Sequence, residues 1–150
     1  MHIVLYQPRI PPNTGAIARL CAATDTELHL VGPLGFSLDD KHLKRAGLDY
    51  WPYVKIRNWE NDEHFFSDIS SDARLIMTSA RKGICYTSHR FHEQDHLIFG
   101  PETWGLPDRI ISRGHKLLTI PIWGKVRSLN LSNAAAVILY EGYRQLGLLN

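Results

Sequence analysis

Cysteine is scarce in this chain: only Cys21 and Cys85 occur among its 150 residues. Two cysteines are too few for a disulfide-stapled secreted scaffold or for a cysteine-rich zinc site. No signal peptide precedes the first strand-like run, so we expect the protein in the reducing cytoplasm.

Long apolar runs are also missing. The longest, Ala134 to Tyr140, is far shorter than the roughly 20 residues that span a bilayer, so we expect no membrane partner. The apolar content of 44% and the charged content of 21% are ordinary for a globular protein, and we find no low-complexity tract or internal repeat. Disorder and fibrous structure are therefore excluded, and the length predicts a single domain, 1–150.

A strong excess of charge is absent too. The net charge of +2 is too small to indicate a polyanionic partner by itself. Basic residues do gather locally, but a solvated face explains most such clusters. Nucleic acid is therefore allowed rather than indicated by charge. The clusters are Lys41, His42, Lys44 and Arg45; Arg81 and Lys82; and Lys125 and Arg127.

Six β-rich runs alternate with segments of helical character. This alternation predicts a parallel sheet covered by helices. Proline and glycine stand at single element ends rather than in a run, so we expect no linker. The runs are His2 to Tyr6, Glu27 to Val31, Tyr53 to Arg57, Arg74 to Thr78, His96 to Phe99 and Leu117 to Ile120.

Four helices have recognisable starts, because Asn, Asp, Ser and Thr side chains cap the first free backbone N–H groups of a helix. The predicted caps are Asn13 or Thr14, Asp39 for a helix that stops near Gly47, Asn61 or Asp62, and Asn130 or Ser132.

Ligands of open parallel sheets bind beyond the carboxyl ends of the strands. The loops that follow the β-rich runs are therefore the candidate site. Their glycine, proline and hydroxyl residues let backbone groups approach a ligand closely. The loops are Ser79 to Gly83 (SARKG), Gly100 to Pro107 (GPETWGLP), Pro121 to Asn130 (PIWGKVRSLN), and Gln7 to Asn13, which leads into Arg19.

Several well-known motifs are absent. Neither G-x-G-x-x-G, G-x-x-x-x-G-K-[ST] nor G-x-S-x-G occurs, and no carboxylate pair suggests a glycosidase. His89, His92 and His96 have the spacing HxxHxxxH, but their segment is polar and lacks helix support, so we interpret it as a solvated loop rather than a metal site.

Two features have alternative interpretations when each is taken alone. The loop GPETWGLP can cradle an adenine or ribose through its main chain, or it can be a tight turn without a ligand. Arg19 can project toward the same crevice, pair with a carboxylate, or be an ordinary surface arginine.

The last helix is apolar all around between Ala134 and Tyr140. Such a helix is buried on more than one side. Its own sheet covers one side, and a second copy of the chain is the simplest cover for the other. The alternative is a central helix of a monomer.

Three segments, in this order and spacing, resemble the signature motifs of the SPOUT RNA methyltransferases, and the match runs essentially end to end. They are NTGAIAR (Asn13 to Arg19), FGPETWGLP (Phe99 to Pro107) and IPIWGKVRSLNLSNAAAVILYE (Ile120 to Glu141). The opening IVLYQPRIPPNTGAIARLCA and the segment DDKHLKRAGLDY are most similar to small stand-alone tRNA 2′-O-ribose methyltransferases that act on the wobble nucleotide.

The resemblance implies a three-layer α/β/α fold with a carboxyl-terminal deep trefoil knot, without a separate RNA-binding domain. It implies S-adenosylmethionine as cofactor, S-adenosylhomocysteine as product, no metal, and a homodimer that methylates the anticodon stem-loop of tRNA. Alternatives are another tRNA or ribosomal RNA ribose, a non-catalytic RNA-binding module, or an unrelated nucleotide-binding α/β protein. The cofactor contacts it implies are Thr78, Gly100, Ile120, Ser128 and Leu129.

The resemblance also assigns catalysis to Arg19, while Asn13, Glu102, Asn130 and Ser132 match polar positions that shape the site. Arginine stays protonated at neutral pH, so we expect Arg19 to stabilise the developing alkoxide or a nearby phosphate rather than accept the proton.

Substrate contacts are expected at Arg127, Trp104 and Lys82. Trp104 stands where close relatives usually have arginine, and the loop Gly124 to Val126 is less polar than theirs. An indole at this position can stack on an unpaired base.

Overall fold

A computed structural model describes residues 1–39, 41, 43, 45 and 50–149. Its strands are β1 (His2–Tyr6), β2 (Glu27–Val31), β3 (Ile56–Trp59), β4 (Arg74–Thr78), β5 (Ile84–Cys85), β6 (Asp95–Phe99) and β7 (Lys116–Thr119). Its helices are α1 (Pro11–Thr24), α2 (Asp62–Asp68), α3 (Asp108–Ile111) and α4 (Leu131–Gln145), with 3-10 turns at Trp51–Tyr53 and Tyr86–Ser88.

The seven strands form one parallel sheet in the order β3-β2-β1-β6-β4-β7-β5. Alternate side chains of each strand point to opposite faces, so the sheet has two apolar cores. Ile3 and Leu5 of β1 pack with α1 and α4, whereas Val4 and Tyr6 pack with Phe65 of α2 and with α3. The predicted parallel sheet covered by helices is therefore confirmed as a three-layer α/β/α fold.

The strand bounds depart from the prediction at four places. Instead of a strand from Tyr53 to Arg57, a 3-10 turn at Trp51–Tyr53 precedes β3, because pairing with β2 begins only at Leu28 and Ile56. β7 begins and ends one residue earlier than predicted, and β6 begins one residue earlier, at Asp95. The two-residue edge strand β5 was missed. Pairing partners, which a sequence does not display, set these bounds.

The first helix does not begin at Asn13 or Thr14. Pro11 and Pro12 occupy its first turn, where no backbone N–H is required, and the cap position is Ile10. The predicted caps at Asn61 and Asn130 are confirmed, since each side chain accepts a hydrogen bond from the backbone N–H of His64 or Ser132. Of the helix predicted from Asp39, the end near Gly47 lies outside the described residues.

The histidines of the HxxHxxxH segment are not all solvated, so that interpretation was wrong for His89 and His96, which are buried. His89 Nε2 lies 3.0 Å from the fully buried carboxylate of Asp95, at the start of β6. His96 faces His2 and His29, which come from neighbouring strands.

One ring nitrogen from each of His2, His29 and His96 lies within 4.8 Å of the other two, a grouping that could hold a metal ion. The indole N–H of Trp59, however, donates to His29 Nδ1 at 3.1 Å. A neutral His29 must then carry its proton on Nε2, 3.5 Å from Glu27. His29 can therefore ligate a metal within this cluster only if its bond with Trp59 is broken.

Burial favours the neutral form of these rings. It lowers the pKa of His29 to about 3, with His96, His2 and Arg57 adding repulsion. It also lowers the pKa of His96 to about 4, where His2 adds repulsion and the backbone of Gln94 opposes the shift.

We expect the free energy of unfolding to fall as pH decreases from about 6.5 toward 4. Within this window the unfolded chain protonates His29 and His96 while the folded chain does not, so acid favours unfolding. Urea unfolding at a series of pH values should show this slope, and His29→Gln should reduce it by at most about 1.4 kcal/mol per pH unit.

His64→Gln is the matched control for this measurement, because His64 lies half-exposed on α2. Equal slopes for wild type and His29→Gln would contradict the expectation.

Candidate active site

A cavity of about 560 Å³ opens beyond the carboxyl ends of β4, β6 and β7. Its walls come from the loops after these strands, the start of α4 and the beginning of α1. Ten of the predicted site residues line it: Asn13, Thr78, Gly100, Glu102, Trp104, Ile120, Arg127, Ser128, Leu129 and Asn130.

The loop after β6 exposes its backbone to the cavity because it folds tightly on itself. A Cβ atom on Gly100 would lie only 2.3 Å from the backbone nitrogen of Leu106, so only glycine fits there. Gly105 adopts a φ of 75° and donates its N–H to the carbonyl of Pro101 at 2.9 Å. Main-chain groups of this loop are thus fixed before any ligand binds.

The floor of the cavity is tied together across three strands. The hydroxyl of Thr78 donates to the carbonyl of Ile98 at 2.9 Å. The N–H of Ser79 donates to the carbonyl of Leu118 at 2.9 Å. The loops that leave β4, β6 and β7 therefore start from a rigid base.

Glu102 connects the loop after β6 with the start of α1. Its carboxylate accepts the backbone N–H groups of Arg9 at 2.9 Å and Ile10 at 3.1 Å, and the side-chain amide of Asn13 at 3.3 Å. Ile10 has no capping side chain, so Glu102 supplies from a distant segment the acceptor and the negative charge that favour a helix N-terminus.

The hydrogen bonds continue to α4. The Asn130 amide donates to the Asn13 side-chain oxygen at 2.9 Å, and the Asn130 oxygen accepts from the N–H and hydroxyl of Ser132 at 2.9 and 2.6 Å. The four polar residues that the resemblance places around the site therefore belong to one hydrogen-bond network. They are Asn13, Glu102, Asn130 and Ser132. Ser132 acts in it through Asn130 and does not line the cavity.

Arg19 does not line the cavity of its own chain. It lies six positions after Asn13, which places it roughly 120° away around the helix axis. Its guanidinium carbon lies 4.6 Å from the ring centroid of Tyr50, and no carboxylate of the described residues pairs with it. Of the three alternatives for Arg19, the described residues of the single chain show neither the crevice position nor a carboxylate partner, and the side chain is exposed on the surface.

Lys82 also lies outside the cavity lining. The cation that this loop brings to the cavity is Arg81, whose N–H donates to Ser79 Oγ at 3.2 Å. The sequence analysis named Lys82 as a substrate contact, but of the two cations in the loop SARKG only Arg81 lines the cavity. Ile10 is another lining residue that sequence reasoning missed, although the loop Gln7 to Asn13 contains it.

The fold and this cavity correspond to a known class. The chain belongs to the SpoU rRNA methylase family, whose model matches residues 1–140. The resemblance to SPOUT-type RNA methyltransferases is thereby confirmed.

Particular relatives are similar over nearly their whole length. A tRNA (cytidine(34)-2′-O)-methyltransferase from Methylovorus glucosotrophus is 50% identical over 146 residues, which covers 95% of this chain and 94% of the relative. A solved structure that concerns 2-OH methylation of C/U34 on tRNA is 49% identical with a TM-score of 0.94, covering 97% of this chain and 95% of the other.

An AdoMet-bound rRNA methyltransferase from Sinorhizobium meliloti is 26% identical with a TM-score of 0.88, covering 97% of this chain and 56% of that one.

Among the described residues, no helix has the length and apolar character needed to cross a membrane.

We expect Glu102→Gln to lower the free energy of unfolding by about 1 kcal/mol, the usual scale for a helix cap. The glutamine amide turns one acceptor into a donor that opposes the N–H groups of Arg9 and Ile10. Urea unfolding measures the loss.

Glu60→Gln, on an exposed glutamate outside the cavity lining, is the control and should change little. Equal effects of the two substitutions would show that Glu102 does not cap α1.

Proposed function

We propose that this protein transfers a methyl group from S-adenosylmethionine to the 2′-hydroxyl of the wobble nucleotide of tRNA. The observation that carries the proposal is the cavity, because all three segments of the SPOUT resemblance meet in its walls. The near full-length relative named for cytidine 34 supports the choice of substrate.

The cavity suits a small organic cofactor. Its volume of about 560 Å³ lies within the range of small-molecule sites, and its walls combine apolar side chains with fixed backbone groups. We assign cofactor contacts to Thr78, Gly100, Ile120, Ser128 and Leu129, which all line it. The reaction we propose needs no metal, since the sulfonium itself activates the methyl group.

In the reaction, the ribose 2′-oxygen attacks the methyl carbon, the C–O bond forms as the S–C bond breaks, and S-adenosylhomocysteine leaves. The hydroxyl proton passes to phosphate or water. The enzyme contributes mainly by holding oxygen and methyl group in line. Arg19 stays protonated and stabilises the charge that develops on the oxygen.

A trefoil knot is part of this proposal. β7 lies between β4 and β5 in the sheet, so the link from β4 to β5 must cross β7. Where the link reaches β5 it runs close beside β7, because a Cβ atom on Gly83 would lie 2.5 Å from the carbonyl oxygen of Leu117. We infer that the chain after β7 threads this loop and that the knot forms the cofactor wall.

We also propose a homodimer in which α4 lies at the interface. Ile138 and Leu139 of α4 are buried against the chain's own core, whereas Val137 and Tyr140 remain exposed. Since α1 packs beside α4, the same interface would bring Arg19 to the site of the other subunit. The single domain, 1–150, would then bind the anticodon stem-loop in the cytoplasm without a separate RNA-binding domain.

Isotope-labelled S-adenosylmethionine and total tRNA test the activity. We expect methyl incorporation by the wild type, about 10²-fold or greater loss with Arg19→Ala because charge stabilisation at the oxygen is removed, and one missing 2′-O-methyl nucleoside in tRNA of a deletion strain. If the protein binds the cofactor but incorporates no methyl group, it is a non-catalytic RNA-binding module. If the deletion strain lacks a 2′-O-methyl group at another position, the substrate is a different tRNA or ribosomal RNA ribose.

Subunit mixing tests the shared site. Arg19→Ala supplies an intact cavity, and Gly100→Val supplies Arg19 while its side chain disrupts the loop at Leu106. Random reassembly should restore about one quarter of wild-type activity, since half of the dimers are mixed and each has one complete site. If each Arg19 served its own cavity, the mixture would remain inactive.

A further inference from the structure

Arg9 and Trp104 form a stacked pair at the edge of the cavity. The guanidinium carbon of Arg9 lies 5.0 Å from the indole centroid, within the range of a cation–π contact. Trp104 lines the cavity but remains 60% exposed. A large aromatic ring that one cation partly covers and that still faces solvent is a suitable stacking surface.

Both partners are held in place without a ligand. The backbone N–H of Arg9 donates to Glu102, and its Cδ occupies the space beside Gly35, where a Cβ atom would lie 2.5 Å away. Trp104 belongs to the tight loop between Gly100 and Gly105. Little conformational entropy is therefore lost when a ligand stacks on the pair.

The charge of Arg9 is available to a ligand. Among the residues that the structure describes, no carboxylate pairs with its side chain, because Glu102 bonds the backbone instead. Arg81 and Arg127 line the same cavity as Trp104 and are exposed, so the cavity offers two further cations to a polyanion. Proteins that bind single-stranded nucleic acid commonly combine basic side chains, which contact phosphates, with exposed aromatic rings, on which bases stack.

We propose that Arg9 and Trp104 bind one unpaired nucleotide of the RNA substrate: the base stacks on the indole, and the guanidinium neutralises a phosphate of the same strand. This inference rests on the proposed function and adds to it a site that selects a splayed, single-stranded nucleotide. A base in a duplex is stacked on its neighbours and presents no free face to the indole.

The experiment measures the dissociation constant of a synthetic RNA hairpin, with an unpaired cytidine in its loop, over a series of KCl concentrations. Saturating S-adenosylhomocysteine keeps the cavity occupied. Trp104→Leu should weaken binding by about 5- to 100-fold without changing the salt dependence, because stacking carries no charge. Trp104→Phe should recover most of the affinity.

Arg9→Gln should also weaken binding, and it should lower the slope of log affinity against log salt by about 0.7, the value for one phosphate on a single strand. Arg9→Lys should restore the slope. The double variant Arg9→Gln with Trp104→Leu should lose less than the product of the two single losses, since the residues act in contact.

Arg113→Gln is the matched control, because Arg113 lies over Phe66 at 3.9 Å in a similar cation–π pair outside the cavity lining. It should leave affinity and slope unchanged. An unchanged slope with Arg9→Gln, or equal affinities of Trp104→Phe and Trp104→Leu, would overturn the proposal.

Three further outcomes separate this inference from the proposed function. If the wild type methylates tRNA and the variants bind the hairpin with normal affinity, only the proposed Arg9–Trp104 site is wrong. If the wild type binds S-adenosylhomocysteine but neither the hairpin nor tRNA, both the proposed function and the Arg9–Trp104 site are wrong. A change in the dimer mass of Arg9→Gln with normal RNA affinity would make the pair a subunit contact, and the proposal would be wrong.

Discussion

The carboxylate of Glu102 joins the parts of the candidate site. It accepts the backbone N–H groups of Arg9 and Ile10 and the amide of Asn13, and Asn13 is in turn bonded by Asn130 at the start of α4. Segments that lie about 90 residues apart in the chain are thereby fixed relative to one another. The cavity keeps its shape because this carboxylate serves as the cap that the first helix does not have locally.

The parallel sheet carries polar residues in two regions, at the carboxyl ends of its strands and on the face that packs against α2. At the carboxyl ends of the strands, backbone groups and polar side chains face an open cavity, which suits a small polar cofactor. On the α2 face, His29 is buried with a strongly lowered pKa and packs against Trp59 and Phe65. The first arrangement is kept open for a ligand, whereas the second is a neutral, tightly packed part of the core.

The cavity combines several kinds of side chain. Its lining includes glycine, aliphatic, hydroxyl and amide residues, the carboxylate of Glu102, and Arg81, Arg127 and Trp104, on which Arg9 stacks. A cavity with cations and an exposed aromatic ring fits the proposed reaction, in which a nucleic acid approaches a bound small molecule. Arg19 lies outside this cavity in the single chain, which is why we propose that it acts at the site of a second subunit.

Much of the fold and of the site could be predicted from the sequence, because both depend on local patterns. Apolar runs of four or five residues predicted most of the strands, and the composition of the loops after them predicted the walls of the cavity. Three features were missed. The start of α1 before Asn13 has a local signal in Pro11 and Pro12 that the cap rule passed over. The burial of His89 beside Asp95 and the cation–π contact between Arg9 and Trp104 depend on how the chain packs.

The sequence by itself determined the class of fold, the order of its elements and the loops that can bind a ligand, since hydrophobic periodicity and loop composition are properties of short segments. Only the tertiary structure decided which side chains meet. It turned Arg81 rather than Lys82 toward the cavity, excluded Arg19 from it, and placed Glu102 at the start of α1. These outcomes follow from helix rotation and from contacts between segments far apart in the chain, and neither is encoded at any single position.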